Sequence, residues 1–278
     1  MPKDLYVPIT ATPGDEAAIS AALALARRFG ARLTVLEIVN LPVPASNPWG
    51  LMPDVAIGDV HDRLRAQGQA NVERRRAALA DSGVPFSVHL VEALFAEPPR
   101  LSVDMAHHAD LSVVTGPVND GVEGSVAHDF VASLLLGSGR PVLVIPPGAT
   151  APEEGGAILV AWRPGAEAAR ALHDALPLLR GASRVDVLAI DPSPGAEGGL
   201  ALDDVGAHLA RHGVQANVVV QSARGRAVSA ILLEHAREMP AQLIVAGGYG
   251  HSRLREWVMG GVTRELLLGS PVPLLLSH

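Results

Sequence analysis

Residues 245–264, VAGGYGHSRLREWVMGGVTR, carry the pattern best suited to chemistry. Gly247, Gly250 and Gly260 are spaced G-x2-G-x9-G, after an apolar run and before a helical one. A glycine loop at the carboxyl end of a parallel strand lets peptide N–H groups approach a phosphate, and the positive end of the following helix points at the same place. The candidate binding residues are Gly247, Gly248, Gly250, His251, Gly260, Gly261, Val262 and Thr263. Thr263 adds a hydroxyl donor, whereas Gly261 offers only its backbone N–H. His251, Ser252, Arg253 and Arg255 read as a solvated stretch more readily than as a lid of anion contacts. The ligand-free reading of the same glycines is a tight strand-to-helix turn with close packing.

Other chemistries find less support. His107 and His108 are adjacent, so they face different ways on a helix, and His208 and His212 stand at i, i+4 with no acid between them. A metal site needs three or four converging ligands, so none is expected. The absence of cysteine removes thiolate nucleophiles, thiolate metal sites and disulfides together. No G-x-S-x-G elbow occurs, and Gly124-Ser125 reads as loop, so no catalytic residue is assigned. Trp49, Trp257 and Met259 read as packing residues by default. With 22 basic against 29 acidic residues the formal charge is −7 and there is no basic tract, which argues against a nucleic-acid partner. A chain that is 48% hydrophobic and 18% charged folds, yet no run reaches the roughly 18 apolar residues of a membrane span. With no basic-then-apolar start either, the expected location is the cytoplasm.

The elements that must position the glycine loop are written twice. Asp4–Thr10, a polar turn, helical Glu16–Phe29 and the run Leu33–Val39 recur as Ala157–Trp162, a Pro164-Gly165 turn, helical Glu167–Leu179 and Val185–Ile190, at an offset near 152. Asp110–Gly116 recurs as Gln242–Gly248, and Pro141–Ile145 as Pro273–Ser277, at an offset of 132. The difference of 20 falls in residues 41–57, read as an inserted loop rich in Pro, Gly and exposed apolar residues. Short apolar runs alternating with helical ones indicate βαβ units, hence an α/β fold of two Rossmann-like domains, each a five-stranded parallel sheet with helices on both faces. The strands fall near 4–10, 33–39, 86–91, 110–116 and 141–146, then 157–162, 185–190, 216–221, 242–247 and 273–277. Gly30 and Gly181 sit where helix C-caps belong, and Gly83 and Gly213 close the helices before the third strands. The domains are 1–148 and 156–278, joined by the Pro/Gly-rich stretch Pro146–Gly156. The strongly apolar last strand of each half would be a bare edge alone, so the halves are expected to pair there within one chain.

Gly247–Thr263 in this setting, with the closing strand VPLLLSH and support from Ile158–Trp162 and Leu172–Leu179, resembles the universal stress protein family, specifically its tandem two-domain members, over essentially the whole chain. The resemblance implies adenine nucleotide alpha hydrolase-like domains, a role in the stress response through binding and signalling, and dimerisation through the last strand, which leaves a further homodimer open. It also implies a choice between ATP-binding and non-binding branches. In the binders the glycine pattern is followed by Ser or Thr, a position held here by Gly261, and an acid follows the first strand, where this chain has Thr10 in the first half and Arg163 in the second. At the 132-residue offset Gly247, Gly250, Gly260 and Gly261 correspond to Thr115, Val118, His128 and Asp129. The first half therefore keeps no phosphate glycine and places the acid Asp129 beside the phosphate position. The expectation is adenine nucleotide, ATP with Mg, in the C-terminal half only. The alternatives are an interaction or lipid-like-ligand protein that binds no nucleotide, and a slow ATP hydrolase.

Overall fold

The computed structural model describes residues 1–43, 54–118, 121–191, 198–248 and 261–278. The first half contributes β1 (Asp4–Pro8), α1 (Asp15–Phe29), β2 (Arg32–Asn40), α2 (Asp54–Ala80), β3 (Phe86–Ala93), α3 (Pro98–Ala106), β4 (Leu111–Thr115), α4 (Val122–Gly137) and β5 (Val142–Ile145). The second contributes β6 (Ala157–Trp162), α5 (Ala166–Leu179), β7 (Arg184–Ile190), α6 (Gly198–Arg211), β8 (Asn217–Gln221), α7 (Val228–Glu238), β9 (Ala241–Gly247), α8 (Gly261–Gly269) and β10 (Leu274–Ser277). All ten strands fall where the apolar runs place them.

The two expected five-stranded sheets are fused into one ten-stranded sheet of order β3-β2-β1-β4-β5-β10-β9-β6-β7-β8. The strand pairs are parallel except at the junction, where β5 and β10 run antiparallel with Leu274, Leu275 and Leu276 opposite Val144, Leu143 and Val142. Each apolar last strand thus covers the edge of the other, and the bare edges move outward to β3 and β8.

The core is two layers, one on each face of the sheet, and each runs through both halves. One face packs α1 and α5 with Val72 and Leu79 of α2 and Val205 and Leu209 of α6. The other packs Ala106 of α3, Phe130 and Leu134 of α4, Ile231 and Leu232 of α7, and Leu266 and Leu267 of α8. Helix α5 shows why: Ala168, Ala171, Leu172, Ala175, Leu176 and Leu179 recur at three- and four-residue steps, so one stripe of the helix is buried. The linker is pinned to the second half: Glu153 N–H donates to the Gln242 side chain at 2.9 Å and Gly155 N–H to the Gly181 carbonyl at 2.7 Å.

Three sequence expectations need correction. The surplus of the first half is not all loop: α2 starts at Asp54, inside the stretch read as an insertion, and is 27 residues long against 14 for α6. Pattern reading under-called it because residues 53–57 supply Pro and apolar side chains without helical spacing. Gly30 caps α1 in the left-handed region (φ 59°), but α5 is capped by Arg180 in right-handed geometry, so Gly181 is no left-handed cap. Gly124 and Ser125 lie within α4 rather than a loop.

Candidate functional site

The strand order creates a switch point in each half. From β1 the chain moves outward through β2 and β3, then returns to β4 on the other side of β1; β6 and β9 repeat this. In open α/β sheets the crevice beyond the carboxyl ends of such strands is where ligands bind. The two crevices are therefore the ends of β1 and β4, and the ends of β6 and β9.

The first crevice is filled by its own side chains. Asp15, the first residue of α1, turns back so that Thr10 N–H donates at 3.1 Å to each carboxylate oxygen and the Thr10 hydroxyl donates to Oδ1 at 2.7 Å. The Thr10 hydroxyl also lies 2.7 Å from that of Thr12. Burial pushes the Asp15 carboxyl upward, further than the Thr10 hydrogen bonds and the charge of Arg75 pull it down. Arg75, on α2, is itself held by Glu37 at 3.0 Å and Glu16 at 2.7 Å. Beside Asp15, helix and strand touch: a Cβ on Gly14 would lie 1.8 Å from Thr115 Oγ1 and 2.8 Å from Thr115 Cβ.

The second crevice is tight against backbone. A Cβ on Gly247, at the end of β9, would lie 2.7 Å from Ala168 N and 2.8 Å from the Glu167 carbonyl carbon, inside the first turn of α5. The cap Gly14 of α1 corresponds to the cap Gly165 of α5, and at the 132-residue offset Thr115 corresponds to Gly247. Glu167 is only half-buried, where Asp15 is buried. Arg163 stands exposed just beyond β6.

Gly248 is held on three sides. Its N–H donates to the Ser277 carbonyl at 2.9 Å, its carbonyl accepts from His278 Nδ1 at 3.0 Å, and a Cβ there would lie 2.6 Å from Leu135 Cδ2 of α4, in the first half. Arg170 of α5 donates to the His278 carbonyl, and the Ser277 hydroxyl donates to Asp174 at 2.8 Å. Leu135, Arg170 and His278 are contacts that sequence reasoning missed, since they come from distant parts of the chain with no local signal.

Of the remaining candidates, Gly250, His251 and Gly260 lie outside the described residues, as do Ser252, Arg253, Arg255, Trp49, Trp257 and Met259. Gly261 and Val262 of α8 are exposed and no described residue lies within 4 Å of where a Gly261 Cβ would be, whereas Thr263 is buried. Thr263 is therefore a packing residue of α8 as much as a hydroxyl donor. Asp129 does not stand at a helix start: α4 begins at Val122, so Asp129 is well inside it, exposed and 3.7 Å from His128. The acid in the first turn of α4 is Glu123.

A second buried polar cluster lies at the opposite end of the second half. Asp186 of β7 accepts from Arg184 at 2.9 and 2.7 Å, from Asn217 of β8 at 3.0 Å and from His235 Nε2 of α7 at 2.8 Å. Burial alone would raise its carboxyl, but the hydrogen bonds from Arg184, Asn217 and His235 prevail and hold it at about 2. It sits near the amino ends of the strands, away from the switch point, and ties α7 to the β7–β8 edge. Among the described residues no group of three or more His, Asp or Glu side chains is arranged to hold a metal ion. Nor is any described helix long and apolar enough to cross a membrane.

The profile of the Universal stress protein family matches residues 157–278. This second half is a universal stress protein domain. A universal stress protein from Archaeoglobus fulgidus, 15% identical, superposes over 99% of this chain and 95% of its own with a TM-score of 0.77. A functionally unknown protein from Pseudomonas aeruginosa, 16% identical, covers 99% of this chain and 92% of its own with a TM-score of 0.58. At these identities the matches show a shared fold, and they extend it over the first half. No curated protein matches the sequence. The first half shares the fold and lacks the phosphate glycines.

Proposed function

We propose that this tandem universal stress protein is a binding protein, not a catalyst, and that its ligand is an adenine nucleotide held in the second half alone. One observation carries the asymmetry: the first crevice is already occupied by the Asp15 carboxylate on the Thr10 amide and hydroxyl, so an incoming phosphate would meet a buried acid. In the second crevice the first-turn acid, Glu167, is only half-buried, and no described residue lies within 4 Å of where a Gly261 Cβ would be. Calorimetric titration with Mg-ATP tests this. Gly261→Ser restores a hydroxyl hydrogen bond to a charged phosphate, worth about 1.5–3 kcal/mol, so binding should tighten roughly 10- to 100-fold. No gain from the substitution contradicts the assignment of that position. Phosphate release beyond one equivalent per chain contradicts the non-catalytic reading.

A second reading is supported by the packing of the glycines. Gly247 and Gly248 are accounted for by the backbone of α5 and by Leu135, with no ligand. On that reading the chain is an interaction protein. Native mass spectrometry of freshly purified protein separates the two: a co-purifying adenine nucleotide supports the first, a bare chain across preparations the second.

A further inference from the structure

The seam between α5 and α6 gathers three imidazoles that the sequence shows only as a pair. His212, just past α6, faces His208 one turn earlier with ring centroids 4.6 Å apart, and faces His173 of α5 edge-on at 6.2 Å. The His212 carbonyl accepts Arg180 Nε at 3.0 Å, which ties the ends of the two helices together. Alongside the rings, Trp162, Leu172, Asp204, Val205 and Arg211 line a groove whose walls are the same two helices. The ionisable groups facing His212 are His173 and Arg180 from α5, and His208 and Arg211 from α6; Asp204 is the acid of the groove.

Neutral imidazoles can pack at these distances without penalty. A protonated His212 would place a positive charge 4.6 and 6.2 Å from its two ring neighbours in a seam whose described residues include the Arg180 and Arg211 guanidiniums and the Asp204 carboxylate. We propose that the α5–α6 seam is an acid-sensitive contact, closed over a neutral His212 packed between His173 and His208 and loosened as His212 takes up a proton, which frees α6 and opens the groove at Trp162. Burial, then the neighbouring His208, Arg180, His173 and Arg211, push His212 below its ordinary value. The closed seam therefore binds protons more weakly than the open one, and its stability is present above about pH 6.5 and lost as the pH falls below that value.

The test uses the full chain with Trp49→Phe and Trp257→Phe, so that Trp162 is the sole indole. Its emission should change in one transition centred below pH 6.5. Amide exchange in α6, corrected for the intrinsic pH dependence, should be at least about threefold faster at pH 5.5 than at 7.5, with α1 as the unaffected reference. In the His173→Gln, His208→Gln, His212→Gln variant both changes should vanish while far-ultraviolet circular dichroism stays as in the parent; if the triple variant does not fold, His212→Gln alone should shrink both. An α6 exchange ratio independent of pH in the parent, or a transition unchanged in either variant, overturns the proposal.

Discussion

At the first crevice the helix cap Gly14 lies against Thr115, which ends the fourth strand; at the second the helix cap is again a glycine, Gly165, and the strand also ends in one, Gly247. In both halves helix start and strand end touch: a Cβ on Gly14 would meet the Thr115 side chain, and a Cβ on Gly247 would meet the backbone of Glu167 and Ala168. The duplicated unit keeps the cap glycine in both halves and adds a strand-end glycine in the second, where the contact is with backbone. It follows that Gly247, the first glycine of the phosphate-loop pattern, is required by packing whether or not anything binds. The case for a ligand rests on the buried Asp15 that occupies the first crevice, against the half-buried Glu167 at the second.

The largest effect should come from filling the tighter contact. Gly247→Ala drives a methyl into the backbone of α5, which cannot rotate away, and should destabilise the chain by about 3 kcal/mol, read from the denaturant midpoint. Gly261→Ala, with open space at its Cβ, is the matched control.

The buried acids of the two halves should respond to pH with opposite sign. Asp15 has its folded pKa raised, so burying its charge costs stability above the ordinary carboxylate range, and this cost fades as the pH falls through the raised value. Asp186 has its folded pKa lowered to about 2 from 3.8, so its stabilisation is present above about 4 and is lost as the pH falls toward 2. Relative to the corresponding Asn variant, the parent should gain at Asp15 and lose at Asp186 as acid is added. Urea melts of Asp15→Asn and Asp186→Asn between pH 7 and pH 3 check both signs; difference curves that run the same way would remove the contrast.

A smaller contrast lies at the helix caps. Gly30→Ala forces a Cβ into φ 59° and should cost about 1 kcal/mol, whereas Gly181→Ala meets only the flexible tip of Arg28 and should be close to neutral by thermal melting.

What the sequence discloses follows the range of the interactions involved. The ten strands are legible because Leu33–Val39, Val185–Ile190 and their counterparts are β-branched runs closed by turn residues, and the β5–β10 junction because two bare apolar edges must be covered. The length of α2 is not legible, since tertiary packing overrides a stretch with no helical period. Nor is the Gly14–Thr115 contact or the meeting of His173 with His208 and His212, because each depends on which distant residue a helix end happens to face; the fold-back of Asp15 onto Thr10 is local but has no distinctive pattern. The glycine pattern was visible, but its first member serves packing in a way that only the geometry shows.

The close approach of helix cap and strand end is tested most directly by a double-mutant cycle at the first crevice. Gly14→Ala alone should destabilise by about 1–3 kcal/mol, and adding Thr115→Gly should recover most of that loss, with a coupling energy above about 1 kcal/mol. Additive effects of the two substitutions would contradict the account, because they would mean that helix and strand do not compete for one side-chain volume there.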